Sequence, residues 1–160
     1  MRAGPAGLPA GIVFRRLHTD AERALARSLL AATGRARSAG EEGGLAWFGL
    51  WDLAAAEEVA LIGAAATRAV TAATAELCAL AVAAELPWQG LGDRLLREVA
   101  DILRAQGVER MVARVEADDG RGALLRDAGL VPLPARRRQE LPPGAPYGTD
   151  DAGAWLSLEL

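Results

Sequence analysis

Two glycines lie one residue apart, Gly90 and Gly92, within the stretch LPWQGLGDRLL, residues 86–96. A glycine-rich turn that runs into a helix has anion chemistry available to it. The first turn of a helix carries backbone N–H groups with no internal partner, and its dipole end is partly positive. Missing side chains let a bulky pyrophosphate approach that backbone. Gln89, Gly90, Leu91, Gly92 and Asp93 would present the N–H groups, and Arg94 would offset the acid at Asp93. A plain glycine turn into a helix is the rival reading of the same residues. Upstream, Glu76 opens the apolar run AELCALAV, where a carboxylate can serve as a general base or simply stand solvated. Glu116 is the second choice for that role, and Asp118 and Asp119 read better as helix caps. Cys78, alone inside an apolar run, reads as a small core residue rather than a nucleophile.

The elements that must hold these residues alternate. Residues 1–10 are rich in Gly, Pro and Ala and form a loose N-terminus, leaving 11–160 as one domain. Gly11–Leu17 predicts a strand. Asp20 is expected to cap the next helix, with Arg23 where a capping box would want an acid. Leu25, Leu29 and Leu30 give that helix an apolar stripe, and Gly34 ends it. Residues 35–44 form a polar loop. LAWFGLWDL (45–53) and VALIGAAATRAV (59–70) predict an antiparallel hairpin, with Trp47 and Trp51 on one face by period two. AELCALAVAAELP (75–87) predicts a third strand.

The clearest helix runs from Leu91 to Gln106. Leu95, Leu96, Val99, Ile102 and Leu103 share one face, and Gly107 takes the left-handed cap. VERMVARVE (108–116) predicts a strand, DDGRGALLRDAGL (118–130) a short helix stopped by Gly129, and VPLPARRRQEL (131–141) and AWLSLEL (154–160) two last strands. The strands at 75–87 and 108–116, joined by a helix, form a parallel crossover. The fold class is α/β in the α+β sense: a mixed, mostly antiparallel sheet of about seven strands with about three to four helices.

Composition narrows the function classes. The chain has 160 residues, one domain's worth, and its 51% hydrophobic content excludes disorder as a description. A net charge of −3 argues against nucleic acid, whose binders carry a strongly basic face. Arg136, Arg137 and Arg138 make one short basic run, read as a solvated loop or an anion contact. The only cysteine has no disulfide partner, and with a single histidine, His18, there is no Cys/His metal set, so no metal is expected. A reducing, cytoplasmic setting fits. Thr71, Thr74, Glu76 and Glu85 interrupt the most apolar stretch, so no membrane span is expected.

A dinucleotide site also uses strand, glycine turn, helix and strand, with Glu116 posing as the ribose acid. The segment Gly90-Leu91-Gly92-Asp93-Arg94-Leu95 lacks the third fingerprint glycine, and AAELPW separates strand from turn.

Taken together, AELCALAV, PWQGLGDRLL and GALLRDAGLVP resemble, in order and spacing, three stretches of the GNAT superfamily of acyl-CoA N-acyltransferases. They look like its fourth strand, its pyrophosphate loop and the short helix ending its core, and the resemblance covers roughly residues 11–160. It implies acetyl-CoA, or another acyl-CoA, as cosubstrate, with strands 75–87 and 108–116 splayed to admit it. The pantetheine arm would pair with backbone of Leu80, Ala81 and Val82, and an N–H near Val82 would polarise the thioester carbonyl. Glu76, fourteen residues before Gly90, matches the place of the catalytic glutamate in histone-type members. The acceptor would be a small-molecule or peptide amine, its pocket drawn from the first helix and the 35–44 and 142–153 loops. Packing through the C-terminal strands would allow a homodimer.

Two departures stand out. Pro87 replaces the Gln or Arg that opens the loop pattern, and Leu125 stands where many members carry a tyrosine acid. Tyr147, in the late Pro/Gly loop, could swing in as a hydroxyl but reads better as a packing or surface residue. These departures also admit a second reading: a catalytically impaired GNAT-like domain that binds acyl-CoA or a protein partner.

Overall fold

The computed structural model describes residues 8–32, 44–54, 59–83, 90–115, 121–134, 136–137, 141 and 154–160. Its strands are β1 (Ile12–Arg16), β2 (Leu45–Asp52), β3 (Ala60–Ala69), β4 (Thr74–Val82), β5 (Arg110–Val115), β6 (Val131–Pro132) and β7 (Ala154–Glu159). Its helices among the described residues are α1 (Asp20–Ala32), α2 (Leu91–Ala105) and α3 (Arg121–Asp127). The strands form one seven-stranded sheet in the order β1-β2-β3-β4-β5-β7-β6. All neighbours are antiparallel except β4 and β5. This is the mixed α/β sheet that the strand and helix pattern implied.

Each sheet face has its own helix layer. Leu95, Leu96, Val99 and Leu103 of α2 and Leu125 of α3 pack with Phe48, Leu50, Leu77, Leu80, Met111 and Leu156. Each leucine buried to this degree contributes about 1.5–3 kcal/mol. On the other face, Ala26 and Leu30 of α1 pack with Trp47, Trp51, Ala64, Ala66, Ala79 and Ala81. The two tryptophans do share a face. The alanines of β3 and β4 are poor strand formers, but beneath α1 they leave room for the helix and both indoles.

One irregularity decides which β4 side chain faces which layer. Ala66 pairs with Ala79, but the next residue, Thr67, pairs with Leu77, so Cys78 is an extra residue in β4. Such a bulge reverses the alternation. Leu77 and Leu80, three apart, therefore both enter the α2 layer, which an unbroken strand forbids.

Of the three glycine stops, Gly34 lies outside the described residues, and Gly107 and Gly129 act as expected. Gly107 at φ 83 and Gly129 at φ 103 end α2 and α3. Val108 N donates to Leu103 O, and Leu130 N to Leu125 O, each at 3.0 Å. This is the closing bond of a Schellman cap.

Three expectations fail. Leu25, expected in the apolar stripe of α1, is exposed at 52%, and Ala26 is buried there with Leu30. The cap of α1 is Thr19, not Asp20. Glu22 N donates to Thr19 Oγ1 at 3.1 Å, and Glu22 Oε2 accepts from Thr19 N at 3.1 Å and His18 N at 2.8 Å. That is a capping box on Thr19-Asp20-Ala21-Glu22, and Asp20 instead pairs with Arg23 at 2.9 Å. Of the strand expected over 131–141, the described residues form a strand only at Val131–Pro132. Pro132 and Pro134 lack the N–H that a ladder needs, and Arg137 N turns back to Pro134 O at 2.9 Å.

The cap makes α1 sensitive to acid. The His18 and Thr19 amides, and then Arg15 at 2.6 Å, hold the Glu22 carboxyl down from 4.5 to about 2. A depressed folded-state value adds stability above the unfolded value that is lost as pH falls through the folded one. Thr19→Ala is expected to cost about 1 kcal/mol in urea unfolding at neutral pH. The stability difference between wild type and Glu22→Gln should fade as pH drops from 4.5 towards 2, followed by circular dichroism.

Candidate active site

The parallel pairing at the centre of the sheet stops early. Thr74, Ala75 and Glu76 pair with Arg110, Met111 and Val112, and no later residue of β4 is paired with β5. β4 continues to Val82 and β5 to Val115. The two strands thus diverge above Glu76, opening a cleft in the sheet.

The open edge of β4 presents alternate backbone groups. At one end Thr74 O accepts from Val70 N at 2.9 Å, and at the other Ala83 N donates to Ile62 O at 2.8 Å, both towards β3. Val82 lies opposite Gly63, Ala81 opposite Ala64 and Leu80 opposite Ala65. Alternation then turns the N–H and C=O of Leu80 and Val82 to the cleft, and those of Ala81 to β3. Of the three backbone positions expected to receive a ligand arm, Leu80 and Val82 lie on the open edge and Ala81 does not. The Leu80 side chain is buried beneath α2, so only its backbone is available.

Glu76 sits at the apex of the cleft. It is the last β4 residue paired with β5, and it is buried, with 9% of its surface exposed. Its register partner on β3 is Arg68, whose Nη2 stands 2.6 Å from Glu76 Oε2. The reading of a solvated strand-end glutamate is therefore wrong. The carboxylate is buried, oriented and ion-paired.

At the other end of the cleft, β4 leads to the N-terminus of α2. Gly90 precedes the helix with φ 89 and ψ 6, and no side chain caps it. Among the described residues, a methyl group on Gly90 would meet nothing within 4 Å. Arg94 N is the first amide to bond within the turn, donating to Gly90 O at 2.9 Å. No described residue accepts from the N–H groups of Leu91, Gly92 or Asp93.

The two glycines do different work. At Gly92 a methyl would stand 2.8 Å from Leu124 Cδ2, so its absence lets α3 pack on α2. Asp93, the awkward acid, is held by Arg97 Nε at 2.9 Å rather than offset by Arg94. Arg94 Nε is buried without a hydrogen-bond partner, a donor left over beside the unpaired amides. These groups suit a diphosphate, which needs several donors at once.

Gln89, Pro87, Glu85, Glu116, Asp118, Asp119 and Tyr147 lie outside the described residues. Leu125 is fully buried in the α2–α3 core. A separate cavity of about 320 Å³ lies at the β6–β7 edge, lined by Arg136, Arg137, Ser157 and Glu159 among others. There Glu159 takes Arg110 at 2.6 Å and Arg137 at 3.0 Å. Sequence reasoning missed Arg68 as the partner of Glu76, because the register is a tertiary property. The Asp93–Arg97 pair was visible as an i, i+4 spacing.

A mixed sheet whose central parallel pair parts beside a helix N-terminus is the frame of the GNAT acyltransferases. Residues 16–125 match the model of the Acetyltransferase (GNAT) family, and the chain belongs to that family. No curated protein matches it. Among solved structures, it is similar to an acetyltransferase from Streptococcus agalactiae, at 14% identity and a TM-score of 0.69, covering 94% of this chain and 99% of that one. It is also similar to the PaiA N-acetyltransferase from Thermoplasma acidophilum in complex with coenzyme A, at 16% identity and a TM-score of 0.64, covering 93% and 99%. A third is a GNAT family acetyltransferase from Elizabethkingia anophelis with acetyl-CoA bound, at 16% identity and a TM-score of 0.58, covering 94% and 99%. At these identities the likeness is one of fold.

The separate duties of the glycines can be measured by urea unfolding. Gly90→Ala should lose about 1 kcal/mol through left-handed strain. Gly92→Ala strains only the end of Leu124, so its cost should vanish in a Leu124→Ala background, read as a double-mutant cycle.

Proposed function

We propose that the protein is an acyl-CoA-dependent N-acyltransferase that moves an acetyl group from acetyl-CoA to an amine by direct attack. The observation that carries this reading is the cleft above Glu76, with unpaired β4 backbone along one wall and the free amides of α2 at its far end. The amides of Leu91, Gly92 and Asp93, with Arg94, would hold the diphosphate. The backbone of Leu80 and Val82 would pair with the pantetheine arm as an added strand. A cleft-facing N–H near Val82 would stabilise charge building on the thioester oxygen.

The amine must reach this carbon neutral. Amines of pKa about 10 are mostly protonated at neutral pH. Glu76 would take the proton, directly or through a water, with Arg68 fixing one of its carboxylate oxygens from the β3 side. The new C–N bond forms as the C–S bond breaks, and the departing electron pair stays on sulfur. A thiolate whose conjugate acid has a pKa of about 8.5 leaves without a strong acid, which suits a site with Leu125 in place of a hydroxyl.

The second reading, a GNAT-like domain that binds acyl-CoA without turnover, has its own support. Glu76 is tied to Arg68 at 2.6 Å, and Leu125 supplies no proton.

Release of free thiol from acetyl-CoA across a panel of amines separates the two. An active enzyme should lose about 10²–10⁴-fold in kcat on Glu76→Gln, with the KM for acetyl-CoA unchanged. Arg94→Ala should act the other way, raising that KM roughly tenfold and sparing kcat. Coenzyme binding by calorimetry with no thiol release would favour the binding domain. Absence of coenzyme binding would sink both.

A further inference from the structure

We propose that the cavity at the β6–β7 edge is a second binding site, which takes a small organic anion: a carboxylate or phosphate on a short apolar frame. The site is separate from the cleft and does not depend on turnover of acyl-CoA there. The fold leaves the space for it. β6 pairs with β7 only at Val131–Ser157 and Pro132–Leu156. Upstream of Val131 the backbone serves the cap of α3 instead, with Gly129 N donating to Arg126 O and Leu130 N to Leu125 O. Among the described residues, the outer side of β7 at Leu158 and Glu159 therefore has no strand beside it. The cavity, of about 320 Å³, lies there. That volume is at the lower end of small-molecule sites, which span roughly 300–1,000 Å³.

Ser157 is the observation that asks for a ligand. It lines the cavity, only 5% of its surface is exposed, and no described residue hydrogen-bonds to its hydroxyl. Its register neighbours, Val112 and Val131, have no polar side-chain group to offer. A buried polar group without a partner is uncommon in folded proteins and marks a place where one belongs. Arg136 lines the same cavity, is exposed, and pairs with no described acid. Arg110 and Arg137 are already engaged. Glu159 Oε1 takes Arg110 Nη2 at 2.6 Å and Arg137 Nη1 at 3.0 Å. Those pairs neutralise the acid that lines the cavity, so a cation gains little there and an anion is not repelled. The Ser157 hydroxyl and the Arg136 guanidinium are then the donors for an acid group, and Val131, Pro134 and Leu158 the apolar wall for its frame. Of the basic run read as a solvated loop or an anion contact, Arg136 takes the second role and Arg137 an internal pairing.

The site does not open into the cleft along the sheet. Glu76 pairs with Val112 and Val112 with Ser157, so the three form one row across β4, β5 and β7. Val112, between the other two, is completely covered. A molecule resting on Ser157 is therefore separated from Glu76 by packed protein, and it is not the acceptor amine.

Calorimetry on the full chain with benzoate, phenyl phosphate, inorganic phosphate and the neutral benzamide tests this. Benzoate or phenyl phosphate should bind about tenfold more tightly than benzamide and several-fold more tightly than inorganic phosphate, the tighter of the two telling carboxylate from phosphate. Arg136→Ala should weaken that binding about tenfold, and Ser157→Ala several-fold. Arg94→Ala at the α2 turn, and saturation with coenzyme A, should leave it unchanged. Arg136 is exposed and the Ser157 hydroxyl has no bond to lose, so both variants should keep the wild-type midpoint in urea. No binding by any of the four probes, equal binding of benzamide, or affinity unchanged in the Arg136 and Ser157 variants overturns the inference. Loss of binding in Arg94→Ala also overturns it, since the anion then sits at the α2 turn. A lower midpoint for Ser157→Ala does the same, since its hydroxyl then has a partner within the protein.

Discussion

The structure turns on where two parallel strands stop bonding to each other. β4 and β5 share three register pairs, the last at Glu76 and Val112, and then part. A sheet that loses its central ladder leaves unpaired N–H and C=O groups, a heavy cost unless water or a ligand answers them. Here the cost is tolerated because each strand is anchored on its far side. β4 stays bonded to β3 as far as Ala83, and β5 to β7 over its whole length. The cleft is thus a gap between two well-held halves of one sheet.

The bulge at Cys78 completes the arrangement. Below it, Glu76 faces the α1 side, where Arg68 fixes it. Above it, Leu80 faces α2 and locks β4 to the core. A strand without the extra residue could not both show its glutamate to one side and bury Leu77 and Leu80 on the other. The alanines that follow, Ala79 and Ala81, keep the α1 side shallow, so α1 can pack closely on two tryptophans.

Much of this was legible beforehand, and the reason differs by element. The leucine stripe of α2, the glycine stops at Gly107 and Gly129 and the hairpin of β2 with β3 depend on local periodicity and backbone sterics, which neighbours in sequence carry. The glycines before α2 were legible as a turn but not in their division of labour. Gly90 is set by its own backbone angle, whereas Gly92 is set by Leu124 of a distant helix. The cap of α1 was misread because Asp20 is itself a good cap residue. The reciprocal bonds of Thr19 and Glu22 outcompete it.

Order, spacing and composition by themselves determined the class of sheet, the parallel crossover at its centre and the candidate positions of Glu76 and the α2 turn. They could do so because helices, strands and turns answer to the residues within a few places of them. Only the tertiary structure decided that Glu76 is ion-paired to Arg68, that Ala81 turns its backbone away from the cleft, and that Arg114 of β5 lies in register with Trp155 of β7. Those facts depend on register across strands far apart in the chain. One bulged residue changes that register without leaving any mark on local periodicity.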